Sequence, residues 1–248
     1  MARQAVQVEL IATIATSYYQ LEMYDAQIIE TRGIVNSWDE SVRAQKALMA
    51  VGEATSDEVS MAEASKLEAE ETLEALQLQM IEAENALCVL LGRYSGHIER
   101  GDFQASCDQM PLIPQVNIQA LATRPDIRQA EAALKKAFYL TNKARAAFHQ
   151  AILKAGQEVN NVLATRQYTQ RSIKQISQQV EKLTEVLDAT EKRMRYDSEV
   201  NYLQVLLARQ AMLEARLSLL SHRYELLGST IQLYKALGGD VMRYNLPQ

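Results

Sequence analysis

Glycine (9), proline (4), phenylalanine (3) and tryptophan (1) are scarce in this chain of 248 residues. That shortage removes the turn chemistry a sandwich, a barrel or an α/β enzyme needs between its elements. No apolar run approaches the roughly 18 to 20 residues of a membrane-spanning helix. The opening MARQAVQVEL lacks the apolar core of a secretory leader, so the sequence as given reads as a soluble chain. The two cysteines, Cys88 and Cys107, form neither a metal spacing nor a dense disulfide framework, and they leave the compartment open. A basic stripe is also missing: the net charge is -5, with both signs interspersed, which argues against nucleic acid as a partner. There is no Gly-rich phosphate loop, no nucleophile elbow and no Cys/His pairing at catalytic spacing. A di-metal carboxylate bundle would need Glu three residues before His, and none of His97, His149 and His222 has one. Neither enzyme activity nor a metal or cofactor is expected, and His222, on a helical seam, reads as a packing residue.

What remains is rich in Ala, Leu, Gln and Glu, a balance that favours long helices. Before residue 51 there is no Pro and a single Gly, and apolar residues return every seven positions: Ile14, Leu21, Ile28, Val35, Val42, Met49. This predicts a helix of about 50 residues, roughly 75 Å long at about 1.5 Å per residue. The pattern breaks at Gly52-Glu53-Ala54-Thr55-Ser56-Asp57, where Gly52 suits a C-terminal cap and Ser56 or Asp57 can cap a returning helix. That helix, to about residue 92, carries Val59, Leu73, Met80 and Leu87 on one line, interrupted by Lys66, with Ala62, Ala69, Leu76, Ala83 and Leu90 beside it. Small residues along a seam let two helices approach closely. Gly96, Gly101, Pro111 and Pro114 then mark an irregular belt with at most short elements. Pro125 fits the first turn of a further helix, expected to run about 20 residues to around Phe148.

The second half repeats the first. Val159, Ile173, Val180, Leu187 and Met194 lie 145 positions after Ile14, Ile28, Val35, Val42 and Met49, with Arg166 opposite Leu21. Beyond the turn the offset is 146, pairing Val59 with Val205, Ala62 with Ala208, Ala69 with Ala215, Leu87 with Leu233 and Leu91-Gly92 with Leu237-Gly238. The expected fold is therefore all-α, a coiled-coil or α-barrel type built from long antiparallel helical hairpins in an internal duplication. Its segments are a first hairpin at 1–92, the belt at 93–124, a helix plus the second hairpin at 125–238, and a tail at 239–248.

Arg124-Pro125-Asp126-Ile127 followed by Ala130-Glu131 resembles the RPDI..AE signature of TolC-type outer membrane efflux factors, in their multidrug-efflux branch. Ala83-Glu84-Asn85-Ala86-Leu87, Arg195-Tyr196 with Tyr202-Leu203-Gln204-Val205-Leu206, and Leu233-Tyr234-Lys235-Ala236-Leu237-Gly238-Gly239 support it in the same order and spacing. The resemblance implies a homotrimer whose hairpins wall a periplasmic tunnel beneath a β-barrel in the outer membrane. It also implies a periplasmic adaptor (membrane fusion) protein and an inner-membrane efflux transporter as partners. The barrel strands have no counterpart here, and the resemblance begins after the family's first ascending helix and first strand hairpin. Phe148 runs directly into His149-Gln150-Ala151-Ile152, which leaves two paths open: a sharp turn, or a continuous helix that swaps between chains.

The resemblance places the closed end of the tunnel at the second turn, with Tyr196, Asp197, Glu199, Asn201 and Gln204 as gate candidates. Opening would untwist the second hairpin. Gln204 and Leu207 stand where relatives often carry Asp, which weakens any acidic constriction. Gly52, Asp57, Glu58 and Ser198 are candidates for adaptor docking; the plainer reading of all these residues is that they cap helices and solvate turns. The acidic cluster Glu68, Glu70, Glu71 and Glu74 is either a solvated helix face or a cation-favouring lining. The alternative function is a non-channel coiled-coil scaffold, which a stable two-fold dimer would favour.

Overall fold

The computed structural model describes residues 2–109, 121–122, 124–136, 141–196 and 202–239. It is all-α: α1 (Ala2–Ala50), α2 (Ser56–Leu90), α3 (Phe103–Asp108), α4 (Pro125–Lys136), α5 (Thr141–Tyr196) and α6 (Tyr202–Ala236), with no strand among the described residues.

The first turn is set by two local devices. Gly52 adopts φ +81, and the amides of Gly52 and Glu53 donate to Met49 O (3.1 Å) and Leu48 O (2.9 Å), satisfying carbonyls at the end of α1. The cap of α2 is Thr55, not Ser56 or Asp57: its hydroxyl accepts from the Glu58 amide (3.3 Å) while the Glu58 carboxylate accepts from the Thr55 amide (2.8 Å). Only Thr55 has Glu three residues on, so the reciprocal pair outcompetes a lone cap. The same glycine device recurs at Gly92 (φ 66) and Gly238 (φ 74), equivalent positions of the duplication.

Side-chain rungs fix the pairing register of the hairpins, and the register is duplicated. Lys46 of α1 bonds Glu63 of α2 at 2.8 Å, and their equivalents Glu191 of α5 and Arg209 of α6 pair at 2.7 Å with the charges exchanged. Asp39 bonds Lys66 at 2.7 Å, where the second hairpin sets Thr184 against Met212 Sδ at 3.9 Å. Lys66, the break in the apolar line, is thus an ion-pair position, its pKa raised and that of Asp39 lowered chiefly by the hydrogen bond between them.

Two compact units form. In the unit comprising Gln20–Phe103 and Arg171–Arg223, Ile34, Trp38 and Val42 of α1 pack with Ala62 and Ala69 of α2, Leu187 of α5, and Val205, Ala208, Met212 and Leu213 of α6. Both hairpins therefore share one core, with the small residues of α2 at its centre. Val35 is only partly buried against that core and Met49 is 42% exposed, while Ile34 and Trp38 take the buried face. A straight helix drifts about 20° per heptad against a strict seven-residue line, so the line leaves the core over several repeats.

In the unit comprising Met1–Tyr19, Gln104–Gln170 and Tyr224–Gln248, Leu121 and Ile127 pack with Ala155 and Val159 of α5 and Leu233, Ala236 and Leu237 around α6. The helix opened by Pro125 is described as far as Lys136, and α5 passes through Phe148 and His149 without interruption. A turn at that junction is excluded. The run Ala144-Arg145-Ala146-Ala147 has high helix propensity and no Gly or Pro follows until Gly156, so the chain has no reason to break there.

Candidate functional site

The family resemblance puts function at the hairpin tips. Around the first turn, Gly52 is exposed with open space where a Cβ would sit, Asp57 is exposed, and Glu58 is engaged in the capping box. At the second turn Tyr196 ends α5, while Asp197, Ser198, Glu199 and Asn201 lie outside the described residues. Gln204 is exposed on the first turn of α6, as is Leu207 (58%), while Val205 and Leu206 between them are buried. The start of α6 thus presents Gln204 and Leu207 on one face, three residues apart, and buries the other.

Above that tip sits an arginine that the sequence analysis did not single out. Arg209 donates from Nε (3.1 Å) and Nη2 (2.7 Å) to Glu191 on α5, and from Nη1 to the carbonyl of Ser37 (3.1 Å) and to Ser41 Oγ on α1. Its guanidinium carbon lies 5.6 Å from the ring centroid of Trp38, itself buried. One side chain therefore ties three helices, using the planar fork that only arginine supplies. Further along the same α1–α6 contact, Arg216 pairs with Glu30 at 2.8 Å and Gln27 donates to Ser221 Oγ at 3.1 Å.

A second arginine organises the belt. Arg100 bonds Asp25 on α1 and Glu84 on α2 (2.7 Å), and the Glu84 carboxylate also accepts from the Ile98 amide at 2.8 Å. Burial opposes the charge on both groups, but these bonds outweigh it: the pKa of Glu84 is lowered and that of Arg100 raised. Beside them Glu22, fully buried, accepts from the Gly101 amide at 3.1 Å.

The third is Arg124 of the RPDI motif. Its Nη1 donates to Ala236 O (2.8 Å), an orphan carbonyl at the end of α6, while Nε and Nη2 hold Asp126 at 3.0 and 2.7 Å and Nη2 reaches Glu158 on α5 at 2.9 Å. The bond to Asp126 raises the pKa of Arg124 and lowers that of Asp126, against burial. The motif is thus a joint: Pro125 starts α4, Ile127 enters the core, and Arg124 ties α4 to α5 and α6. Arg166, opposite Leu21 in the duplication, is buried and donates to Thr230 Oγ1 at 2.5 Å, with its pKa lowered by that burial.

The histidines are dispersed. His222 Nδ1 lies 2.9 Å from Ser218 O, His97 sits 3.3 Å from Glu84 on the surface, and His149 is exposed. No group of three metal-ligating side chains occurs among the described residues. Of the acidic cluster, Glu68, Glu71 and Glu74 are exposed and Glu70 faces Lys66 at 3.7 Å. No described helix is long and apolar enough to cross a membrane.

A duplicated helical hairpin whose two copies share a core and are linked by arginine side chains defines an all-α protein of paired helical hairpins. The chain belongs to the outer membrane efflux protein family, whose profile matches residues 1–93 and 141–239, one stretch on each hairpin. It is similar to the toluene efflux pump outer membrane protein TtgC of Pseudomonas putida, 30% identical over 152 residues, covering 61% of this chain and 31% of that protein. The probable outer membrane lipoprotein SilC of Salmonella typhimurium is 28% identical over 155 residues, covering 61% and 33%. The match spans about a third of the length of these curated relatives. Among solved structures the fold is similar to CusC (TM-score 0.85, 20% identity, 96% of this chain and 70% of that one). It is also similar to VceC of Vibrio cholerae (0.81, 19%, 95% and 71%) and to the open state of MtrE of Neisseria gonorrhoeae (0.78, 20%, 99% and 69%).

Proposed function

We propose that this chain is the helical wall of a trimeric outer membrane efflux duct, a passive conduit through the periplasm whose cargo is driven by an inner-membrane transporter. The observation that carries this reading is the coincidence of the family match with both copies of the duplicated hairpin, each held in the same rung register. Two like hairpins per chain, repeated by three subunits, supply the quasi-equivalent staves from which a closed helical cylinder can be built. The protein belongs by this reading at the outer membrane with its helices in the periplasm, beneath a β-barrel.

The tips have separate roles in the proposal. Gly52, Asp57, Glu58 and Ser198 face a helical hairpin of the periplasmic adaptor. Tyr196, Asp197, Glu199, Asn201 and Gln204 meet their counterparts from the other subunits at the closed end. With Gln204 and Leu207 at the start of α6, the acidic constriction is weakened there, and the acidic charge of the closed end rests on Asp197 and Glu199. Adaptor capture on an immobilised hairpin tests the docking role: Gly52→Trp on the exposed turn is expected to abolish it, and unchanged capture would remove the first tip from the interface.

A further inference from the structure

A cleft of about 210 Å³ lies in the unit that holds the shared core of the hairpins, walled by residues of α1, α5 and α6. Its polar groups are not matched to one another. Gln45 of α1 lines the cleft and is buried, at 4% exposed, yet its side chain has no hydrogen-bond partner among the described residues. A buried amide left without a partner is costly, so the site asks for something to bond it. Glu191 of α5 takes both bonds from Arg209 on a single oxygen, Oε1, at 3.1 and 2.7 Å, which leaves Oε2 without a donor among the described residues. Glu40 adds a second carboxylate, exposed and in no ion pair among the described residues. Arg209, the cation of this lining, is already engaged by Glu191, Ser37 O and Ser41 Oγ. Two carboxylates against one guanidinium leave the lining short of one positive charge.

The rest of the lining is largely apolar, with Leu48 of α1, Met194 of α5 and Val205 of α6. The volume is several times the roughly 30 Å³ share of one water, and waters along such a wall have too few polar partners to be well held. We infer that the cleft is a binding site for a small organic monocation, an alkylammonium that donates to the Gln45 carbonyl and to the carboxylates of Glu191 and Glu40 while its alkyl chain lies on Leu48, Met194 and Val205. An ammonium supplies three donors and no acceptor, which suits free carboxylate oxygens and an amide carbonyl. Its single charge also balances the lining. A neutral molecule of the same shape fills the apolar part and leaves the excess carboxylate as it was. The site needs only the packing of α1, α5 and α6 and does not rest on the proposed function.

The test uses the full chain, isotope-labelled for magnetic resonance, with n-butylammonium as the probe and butan-1-ol as its uncharged isostere. The side-chain amide signals of Gln45, assigned by their loss in Gln45→Leu, are expected to shift saturably with butylammonium at millimolar concentration or below. The thermal midpoint should rise in step, since a ligand of the folded state stabilises that state. Glu40→Gln, at an exposed position that leaves the fold intact, is expected to weaken binding several-fold, and Gln45→Leu to remove the thermal shift. Butan-1-ol is expected to bind about tenfold more weakly than the amine, the difference between a neutral and a charged donor. No saturable shift at Gln45 would overturn the site. Equal affinity for the amine and the alcohol, or an affinity unmoved by Glu40→Gln, would overturn its assignment to a cation and leave only an apolar cleft. Self-association of the chain decides the duct reading separately, so either idea can fail without the other.

Discussion

Gly238 stands against Arg124: a Cβ placed on the glycine would come within 3.1 Å of the Arg124 Cα and 3.2 Å of Pro125 Cδ. The glycine ends α6 with φ +74, and the arginine beside it bonds the last carbonyl of that helix. Gly238→Ala therefore meets both a conformational penalty and a backbone that cannot step aside. Gly52, with φ +81 and open space, meets only the first. Alanine at 52 is expected to cost about 1 kcal/mol and alanine at 238 roughly 2–3 kcal/mol. Urea midpoints of the two variants check the difference, and equal shifts would show that the Arg124 backbone yields.

Arg124→Met should destabilise by about 2 kcal/mol, short of the roughly 3–5 kcal/mol of a fully buried pair because Asp126 and Glu158 keep much of their solvent. It should also flatten the acid limb of stability. Asp126 has a folded pKa below its unfolded one. It therefore contributes stability that is present above the ordinary aspartate value and lost as pH falls through the depressed folded value. Unfolding free energy followed from neutral pH downward should lose that component in Arg124→Met. A parallel acid limb in parent and variant would argue against the pair.

Glu84→Gln removes the charge that Arg100 and the Ile98 amide share while keeping the shape. The same sign holds, since the Glu84 pKa is lowered: its contribution is complete above the ordinary glutamate value and disappears at lower pH. Hydrogen exchange should quicken at the Ile98 amide in the variant at neutral pH, and in the parent only after acidification. No change at Ile98 would mean the amide is protected by something other than this carboxylate.

Thr55→Ala should cost about 1 kcal/mol through loss of both arms of the capping box, whereas Ser56→Ala should be close to neutral. Fraying read by exchange at the start of α2 distinguishes them.

The sequence carried the periodic parts of this fold well. Its seven-residue lines predicted the helices, Gly52 and Pro125 marked an end and a start, and the 145/146 offset exposed the duplication, all of which depend on local or repeated signals. The arginine joints were out of reach because they are tertiary. Ser37 and Arg209 are 172 positions apart, and an arginine on a helix reads as a solvated face until its neighbours are known. One signal did exist: the duplication sets Lys46 and Glu63 against Glu191 and Arg209, and a complementary pair that survives with its charges exchanged marks a contact. The path at Phe148 and His149 stayed open in the sequence because the helical propensity of 144–151 continues across the position where the family resemblance changes segment, and the structure makes it helix.

The most direct measurement for the duct reading is the solution mass of the chain, by light scattering after size exclusion, raised in concentration until association saturates. The account predicts a plateau at three copies of the 27.9 kDa chain. A plateau at two would contradict it and favour a helical scaffold instead.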